Sequence, residues 1–375
     1  MSITIKEVIT TAELDTFIYL PEKIHHGHAN WLYPLYIDEE KFFSKERNPA
    51  FKHNATILLL ASIDGIPVGR IMGIVPHSFN KQNQVQTARF SYFECYESKA
   101  VFDALLHAVE AWAKQNGCTN LVGPMGFSDK EPQGFVTKGF DAPTMMVTNC
   151  SYEFMKHFIL ENNYDPYVEL CEYDVPLTPE VADRYKKFTQ RVEQNHKIVV
   201  HEFTSTRQVK KFVRPVFNLI NQTYKNIYGF TAVTEAEMDE FGKRFLPLLN
   251  PALIKIITDE SGGVVAFVIG MADLSEGIQK ARGRLLPFGW YHIYKASKRS
   301  DRLVLLLGAV DKRMQDKGLN AVLASRLLTS ALASGFKVMD SHLIMRTNTK
   351  MRGEIERLEG HKLYKEYTIY TKDLV

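Results

Sequence analysis

Leu303-Val-Leu-Leu-Leu-Gly-Ala-Val310, followed by Asp311-Lys-Arg-Met-Gln-Asp-Lys-Gly-Leu-Asn320, is the stretch on which the reading of the fold turns. Its first eight residues are apolar without helical periodicity and read as a buried strand. Gly308, near the end of the run, marks a bulge or a close backbone approach. From Leu319 onward Val322, Leu323, Leu327, Leu328, Ala331 and Leu332 recur at helical spacing, and Gly335 is placed for a C-terminal cap. A strand, a basic Gly-containing loop and a helix N-terminus make an anion site, because unpaired N–H groups and the positive end of the dipole face the ligand. The plainer alternative is a structural strand–turn–helix unit, and the rest of the chain decides between them.

The 375 residues suffice for two domains of ordinary size. Shares of 45% apolar and 24% charged residues are those of an ordered globular protein. A formal net charge of +3 gives nucleic acid no general hold, so no nucleic-acid partner is expected. Apolar runs such as Val264–Ala272 are too short to span a bilayer. The N-terminal residues lack the basic lead and apolar core of a signal peptide. Cys95, Cys118, Cys150 and Cys171 form no Cys-x-x-Cys pair, so buried free thiols and a reducing, cytoplasmic setting are expected.

Upstream of the opening stretch, Ile3–Val8 reads as a strand and Thr11–Phe17 as a short helix. Two apolar runs around Asp64-Gly65 read as a hairpin, 55–63 with 67–75. A strand at 87–95 follows, then a helix 99–115 capped by Ser98, and a short strand at Leu121. A helix near 152–161 leads to strand 167–175. Pro176–Pro179 marks a boundary, with helix 180–195 as connector. The same order then reopens: strand 197–203, helices 207–224 and 235–246, and hairpin 253–258 with 264–271. An inserted segment precedes the opening stretch, and strand 337–344, helix 349–358 and strand 363–371 follow it. Gly117 and Gly335, each ending the helix of one half, lie 218 positions apart (335 − 117), as in a duplicated domain.

The register Gln315-x-x-Gly318-x-Asn320 resembles the coenzyme A pyrophosphate loop of the GNAT acyltransferase superfamily, Gln/Arg-x-x-Gly-x-Gly/Ala. Asn320 departs from that pattern, although Asn tolerates unusual backbone angles better than most residues. Each half resembles a GNAT fold, an α/β (α+β) unit with a mixed, splayed sheet flanked by helices, and together they resemble the tandem arrangement. The expected division is a degenerate N-terminal domain 1–176, a connecting helix 177–196 and a C-terminal domain 197–375 with the acyl-CoA site. The run Gly123-Pro-Met-Gly-Phe-Ser-Asp129, with Gly139-Phe-Asp141 after it, is similar to bacterial GNAT-like proteins, some of them linked to N-acylation of sphingoid bases.

That resemblance implies acyl transfer from acyl-CoA, or acyl carrier protein, to a small-molecule or lipid-like amine. Gln315, Gly318, Leu319 and Asn320 would cradle the diphosphate, with Lys312, Arg313 and Lys317 as charge partners. The backbone of Leu307, Gly308, Ala309 and Val310 would grip the pantetheine arm as an added strand does and supply the oxyanion donor. Asn348 matches the Asn that opens the fourth helix. In many members a Tyr stands four residues before a Gly as the acid; here Glu356 precedes Gly360, and the acid is missing. Tyr364, Tyr367 or Tyr370 would substitute, though aromatic residues on a terminal strand more often pack the core. His342 is the candidate base, against the reading of a satisfied interior histidine.

In the first half, Glu94-Cys-Tyr-Glu97 has two carboxylates and no Gly where an anion would sit, so this copy is expected to shape the acceptor pocket instead. Ser128 and Asp129 would hydrogen-bond the amine, against the reading of a rigid loop. Trp31 and Tyr33 would line the substrate, against that of a packed loop. The histidines of His25-His-Gly-His28 lack acidic or Cys partners, and no metal is expected. Lys295–Arg302 reads as a solvated loop that could meet the adenosine phosphate or anionic lipid, giving a peripheral membrane contact. Two other classes stay open: a coenzyme A or lipid-binding module without turnover, and an aminoacyl-tRNA-dependent ligase, which would need a basic RNA groove.

Overall fold

A computed structural model describes residues 2–195 and 197–374. The described residues pair into one mixed sheet of fourteen strands. The first seven are Ile3–Glu7 (β1), Ala55–Ile63 (β2), Ile66–Val75 (β3), Thr87–Cys95 (β4), Asn120–Gly123 (β5), Phe135–Lys138 (β6) and Asp165–Pro176 (β7). The others are Val199–Glu202 (β8), Ile254–Thr258 (β9), Val264–Ala272 (β10), Arg302–Val310 (β11), Val338–Asp340 (β12), Ile344–Met345 (β13) and Lys362–Asp373 (β14). Their order is β1-β2-β3-β4-β5-β14-β7-β12-β11-β10-β9-β8, with β6 on β14 and β13 on β7.

Here β14 is no edge strand. It lies between β5 and β7, antiparallel to both, and β7 in turn pairs with β12. The last strand of each half thus completes the sheet of the other, and main-chain hydrogen bonds join the halves. Tyr364, Tyr367, Ile369 and Tyr370 on β14 are buried, as a central strand covered on both faces requires.

The parallel pairs part early. β4 meets β5 only from Thr87 to Arg89, and β11 meets β12 only from Arg302 to Val304. Beyond Val304, β11 runs on to Val310 with β10 as its strand partner. β12 ends because the chain turns at His342, whose φ is 54°, before β13 joins β7. The sequence suggested an unbroken strand over 337–344; a non-glycine residue in the left-handed region interrupts it. The bulge in β11 falls at Leu306, where Leu305 and Leu307 oppose Gly270 and Ile269, two residues before the glycine that suggested it.

Helix Leu319–Ala333 forms where its spacing predicts. Val322 and Leu323 pack with Ile257 and Val265, while Leu327, Leu328 and Ala331 pack with Val175 and Met339. Each fully buried Leu or Val contributes about 1.5–3 kcal/mol, so this face fixes the helix on the sheet.

Proline explains two differences from the sequence reading. Helix Thr11–Ile24 continues past Phe17, through Pro21, which has no N–H for the Phe17 carbonyl. Arg70 Nη1 donates to that carbonyl instead, at 2.7 Å. The single helix expected over 207–224 is split into Thr206–Val209 and Val213–Thr223 around a 3-10 turn. Pro215 would clash with the carbonyl of Lys211 in a continuous helix. The expected loop at Lys295–Arg302 is instead largely the end of helix Gly289–Arg299.

Candidate active site

Gly318 begins the helix at φ 83°, with no side chain capping it. Its own carbonyl accepts the N–H groups of Ala321 and Val322. Lys312, Gln315, Lys317 and Asn320 are exposed around it, while Leu319 is buried and anchors the first turn. Arg313 is held by Asp311, its guanidinium 2.7 Å from the carboxylate. Gln315 Nε2 donates back to the Val310 carbonyl at 3.5 Å, which ties loop to strand. Asp316, at φ 62°, pairs with Lys350 at 2.9 Å and brings the Thr349–Glu356 helix over the loop. Replacing Gly318 by Ala forces a Cβ into left-handed backbone, and a loss of about 1–2 kcal/mol is expected in denaturant unfolding.

In the gap beyond Val304, Gly308 presents its backbone to Tyr224. The Tyr224 hydroxyl donates to the Gly308 carbonyl at 2.9 Å and accepts from the Gly308 N–H at 3.4 Å. Both groups of Gly308 therefore point away from β10. A Cβ at Gly308 would meet nothing nearer than the Phe267 carbonyl at 3.5 Å, so the chain's own packing does not require glycine here. Burial pushes the Tyr224 hydroxyl up to about 12, against the bond from Gly308, and keeps it protonated. Leu307, Ala309, Tyr224 and Met146 all pack against one apolar cluster, and Val310 packs against the cluster that contains Leu319.

The Gly-rich loop of the first half reaches the same gap. A Cβ on Gly229 would lie 1.7 Å from the Met125 side-chain methyl, so the Met125 side chain from loop 123–134 packs directly on the backbone of turn 224–231. Ser128 donates its N–H to Glu131 at 2.6 Å and its hydroxyl at 3.2 Å. Burial raises Glu131 to about 7 despite these bonds, and burial also raises Asp129. Asp129 Oδ1 is buried without a hydrogen-bond partner, and its charge acts on Tyr224. Arg89, fully buried, donates to the carbonyls of Gly126 and Phe127 and stacks on Phe79.

His342 and Tyr364 meet through Asp340. The Tyr364 hydroxyl donates to Asp340 Oδ2 at 2.6 Å, and the His342 backbone N–H, not its ring, donates to Asp340 Oδ1 at 2.7 Å. Tyr364 also contacts Glu172 at 3.2 Å, and Tyr367 donates to Glu172 at 3.0 Å. Tyr364 is thus a buried member of a carboxylate network. Burial holds the His342 imidazole below its ordinary range, with the Met146 backbone opposing, and its Nε2 has no partner. Asn348 caps the Thr349–Glu356 helix, accepting the Met351 N–H at 3.2 Å. Glu356 accepts hydrogen bonds from Tyr173 and Arg352, Tyr173 leading the causes that keep it a carboxylate.

The first half differs at each corresponding point. Its gap is closed by the chain, Met125 donating its N–H to the Phe90 carbonyl at 2.8 Å. Glu94 lies within β4, not in a loop, and pairs with Arg70 at 2.6 Å and His25 at 3.4 Å. Burial opposes its charge, but Arg70 and His25 overcome that and hold it at about 2. Trp31 is buried and stacked on His25, with Tyr33 against it, and His25 and His28 are hydrogen-bonded ring to ring at 3.0 Å. Among the described residues no group of three or more His, Cys, Asp or Glu is placed to hold a metal.

Tyr224, Glu131 and Arg89 carry no motif, and only their convergence from separate elements brings them to notice. Tyr224 could have been marked by its place at the end of a helix just before Gly229.

No family model matches the chain. It is 27% identical over 383 residues to bacterial ceramide synthase of Caulobacter vibrioides, covering 98% of this chain and 96% of that protein. It is 26% identical over 383 residues to protein YghO of Escherichia coli, covering 99% and 95%. A tandem GNAT protein from the clavulanic acid biosynthesis pathway superimposes with a TM-score of 0.56 at 10% identity, covering 100% of this chain and 99% of that one. A GCN5-related N-acetyltransferase from Sphaerobacter thermophilus gives 0.51 at 9% identity, covering 99% and 96%. The chain has the tandem GNAT fold, and along nearly its whole length it is similar to a bacterial ceramide synthase.

Proposed function

We propose that this chain is an N-acyltransferase that passes an acyl group from acyl-CoA, or from acyl carrier protein, to a lipid-like amine of the sphingoid type. One observation carries the reading. β11 parts from β12 after Val304, and the gap, toward which Gly308 directs its N–H and C=O, adjoins an uncapped helix N-terminus ringed by lysines. The ceramide synthase similarity supports the choice of amine. The reading divides the chain as the sequence suggests: 197–375 holds the donor, 1–176 shapes the acceptor pocket, and 177–196 connects them.

The residues present fit the donor. Gly318 to Asn320 and Lys312 and Lys317 would hold the diphosphate, and the backbone of Leu307–Val310 the arm. Acyl-CoA supplies, when bound, a thioester carbon open to attack by an amine. Tyr224 holds a proton at its hydroxyl beside Gly308 and is the group we assign as acid for the leaving thiolate. Neutral His342, with a free Nε2, is the base candidate, and Asp340, itself held by Tyr364, fixes its backbone. Ser128, Asp129 and Glu131 would receive the amine and hydroxyls of the acceptor. Trp31 and Tyr33 support that wall from behind.

Glu356 favours a second reading. It stands where the superfamily acid belongs and is tied down as a carboxylate, so a chain that binds coenzyme A without turnover would look the same there. A thiol-release assay with palmitoyl-CoA over a panel of amines separates the two. Release with a sphingoid base supports the enzyme; stabilisation by coenzyme A without release from any amine supports the binder.

A further inference from the structure

We propose that the helix pair Ser275–Ala281 and Gly289–Arg299 docks on the surface of an anionic bilayer, with residues 286–294 entering the headgroup layer. Among the described residues, fifteen large apolar side chains are exposed, and five of them fall in these nine positions: Leu286, Phe288, Trp290, Tyr291 and Tyr294. Leu286 is 80% and Phe288 70% exposed, at the tip of the connection. Scattered apolar residues need no explanation, but a contiguous aromatic patch marks an interaction site.

Charge selects the occupant. From Gly277 to Ser300 the sequence has no Asp or Glu, but it has Lys280, Arg282, Arg284, Lys295, Lys298 and Arg299. Those six cations exceed the net charge of +3, so the rest of the chain is net negative. Arg284 is taken by Glu22 at 2.9 Å and Lys280 by Glu276. Arg282, Lys295, Lys298 and Arg299 have no carboxylate within ion-pair distance among the described residues. On helix Gly289–Arg299, Trp290 and Tyr294 lie on one stripe, with Tyr291, Lys298, Lys295 and Arg299 next round the exposed side, while Gly289 and Ala296 face inward. Aromatic rings at headgroup depth with lysines and arginines beside them are the chemistry of an interfacial helix. Below the tip is a hollow of about 470 Å³ whose charged lining is Lys280, Arg282, Arg284 and one carboxylate, Glu22, which Arg284 neutralises, so cations prevail there as a phosphate headgroup requires.

The platform is fixed. Tyr36 donates its N–H to the Gly283 carbonyl at 3.0 Å, and a Cβ on Gly277 would lie 2.7 Å from the His292 carbonyl, so the two helices touch. No helix among the described residues is long and apolar enough to cross a membrane.

The test is co-sedimentation of the full chain with phosphatidylcholine vesicles, with and without phosphatidylglycerol. It needs no turnover, so its outcome is independent of the acyltransferase reading. Wild type is expected to bind the phosphatidylglycerol vesicles, with a blue shift of tryptophan emission from Trp290. Each cation near the surface is worth about 1 kcal/mol, so Lys295→Glu with Lys298→Glu and Arg299→Glu should weaken binding at least about a hundredfold. Phe288→Ser with Trp290→Ser should weaken it on both vesicle types, circular dichroism confirming the fold of each variant. Absence of wild-type binding, equal binding with and without phosphatidylglycerol, or binding unchanged in both variants overturns the proposal. So does a concentration-dependent dimer that the aromatic variant dissolves while wild type ignores vesicles.

Discussion

Tyr224→Phe should lower kcat by about two to three orders of magnitude, the usual share of a positioned acid, while coenzyme A binding persists. The position of the hydroxyl sets this effect. It bonds both polar groups of Gly308, the residue on the open side of β11, from a turn that also touches the Gly-rich loop of the first half. Burial keeps it protonated through neutral pH, so it holds the proton a leaving thiolate needs. Removing one oxygen leaves the ring among Phe230 and its neighbours, so the fold should survive. Single-turnover thiol release and coenzyme A titration together check it. If kcat is unchanged, Tyr224 merely fills the gap.

Glu172→Gln should flatten the fall in stability that the wild type shows as pH rises from about 5 to about 8. Glu172 and Asp340 are both fully buried and both contact Tyr364. Burial, and for Glu172 the charge of Asp340, raise both groups, Glu172 to about 8. A carboxyl with a raised folded pKa is stabilising below its unfolded value of about 4.3, and that stability is lost as pH climbs toward the folded value. One such proton contributes at most about 1.4 kcal/mol per pH unit. Gln keeps an acceptor for Tyr367 and has no charge to bury. Glu94 titrates the other way, losing its contribution only as pH falls below the unfolded value toward about 2, outside this window. Denaturant midpoints at pH 5.5 and 8 for both proteins decide the matter; parallel slopes would remove Glu172 from the account.

Local pattern made much of the fold legible. Helix Leu319–Ala333 and strands β2, β4 and β11 lie within a residue of where periodicity and turn residues put them. The break at His342 was missed because a single backbone angle makes it. The continuation past Phe17 was missed because a tertiary contact, Arg70 on the Phe17 carbonyl, lets the helix run through Pro21. The insertion of β14 between β5 and β7 was not legible, because an apolar terminal strand reads alike at an edge or at a centre. The candidate anion loop could be marked from sequence since its residues are consecutive. Asp129 was named from its loop, but Tyr224 joins it as a candidate only because turn 224–231 packs on that loop and on Gly308, about a hundred positions away in sequence. Trp31, singled out for its aromatic neighbourhood, proves to be stacked on His25.

Hydrogen exchange with and without saturating coenzyme A tests the central claim most directly. The account predicts protection of the amides from Leu307 to Val310 and from Gly318 to Val322, with none gained at β4 between Ser91 and Cys95. Protection confined to the first half, or no protection anywhere at saturation, would contradict it.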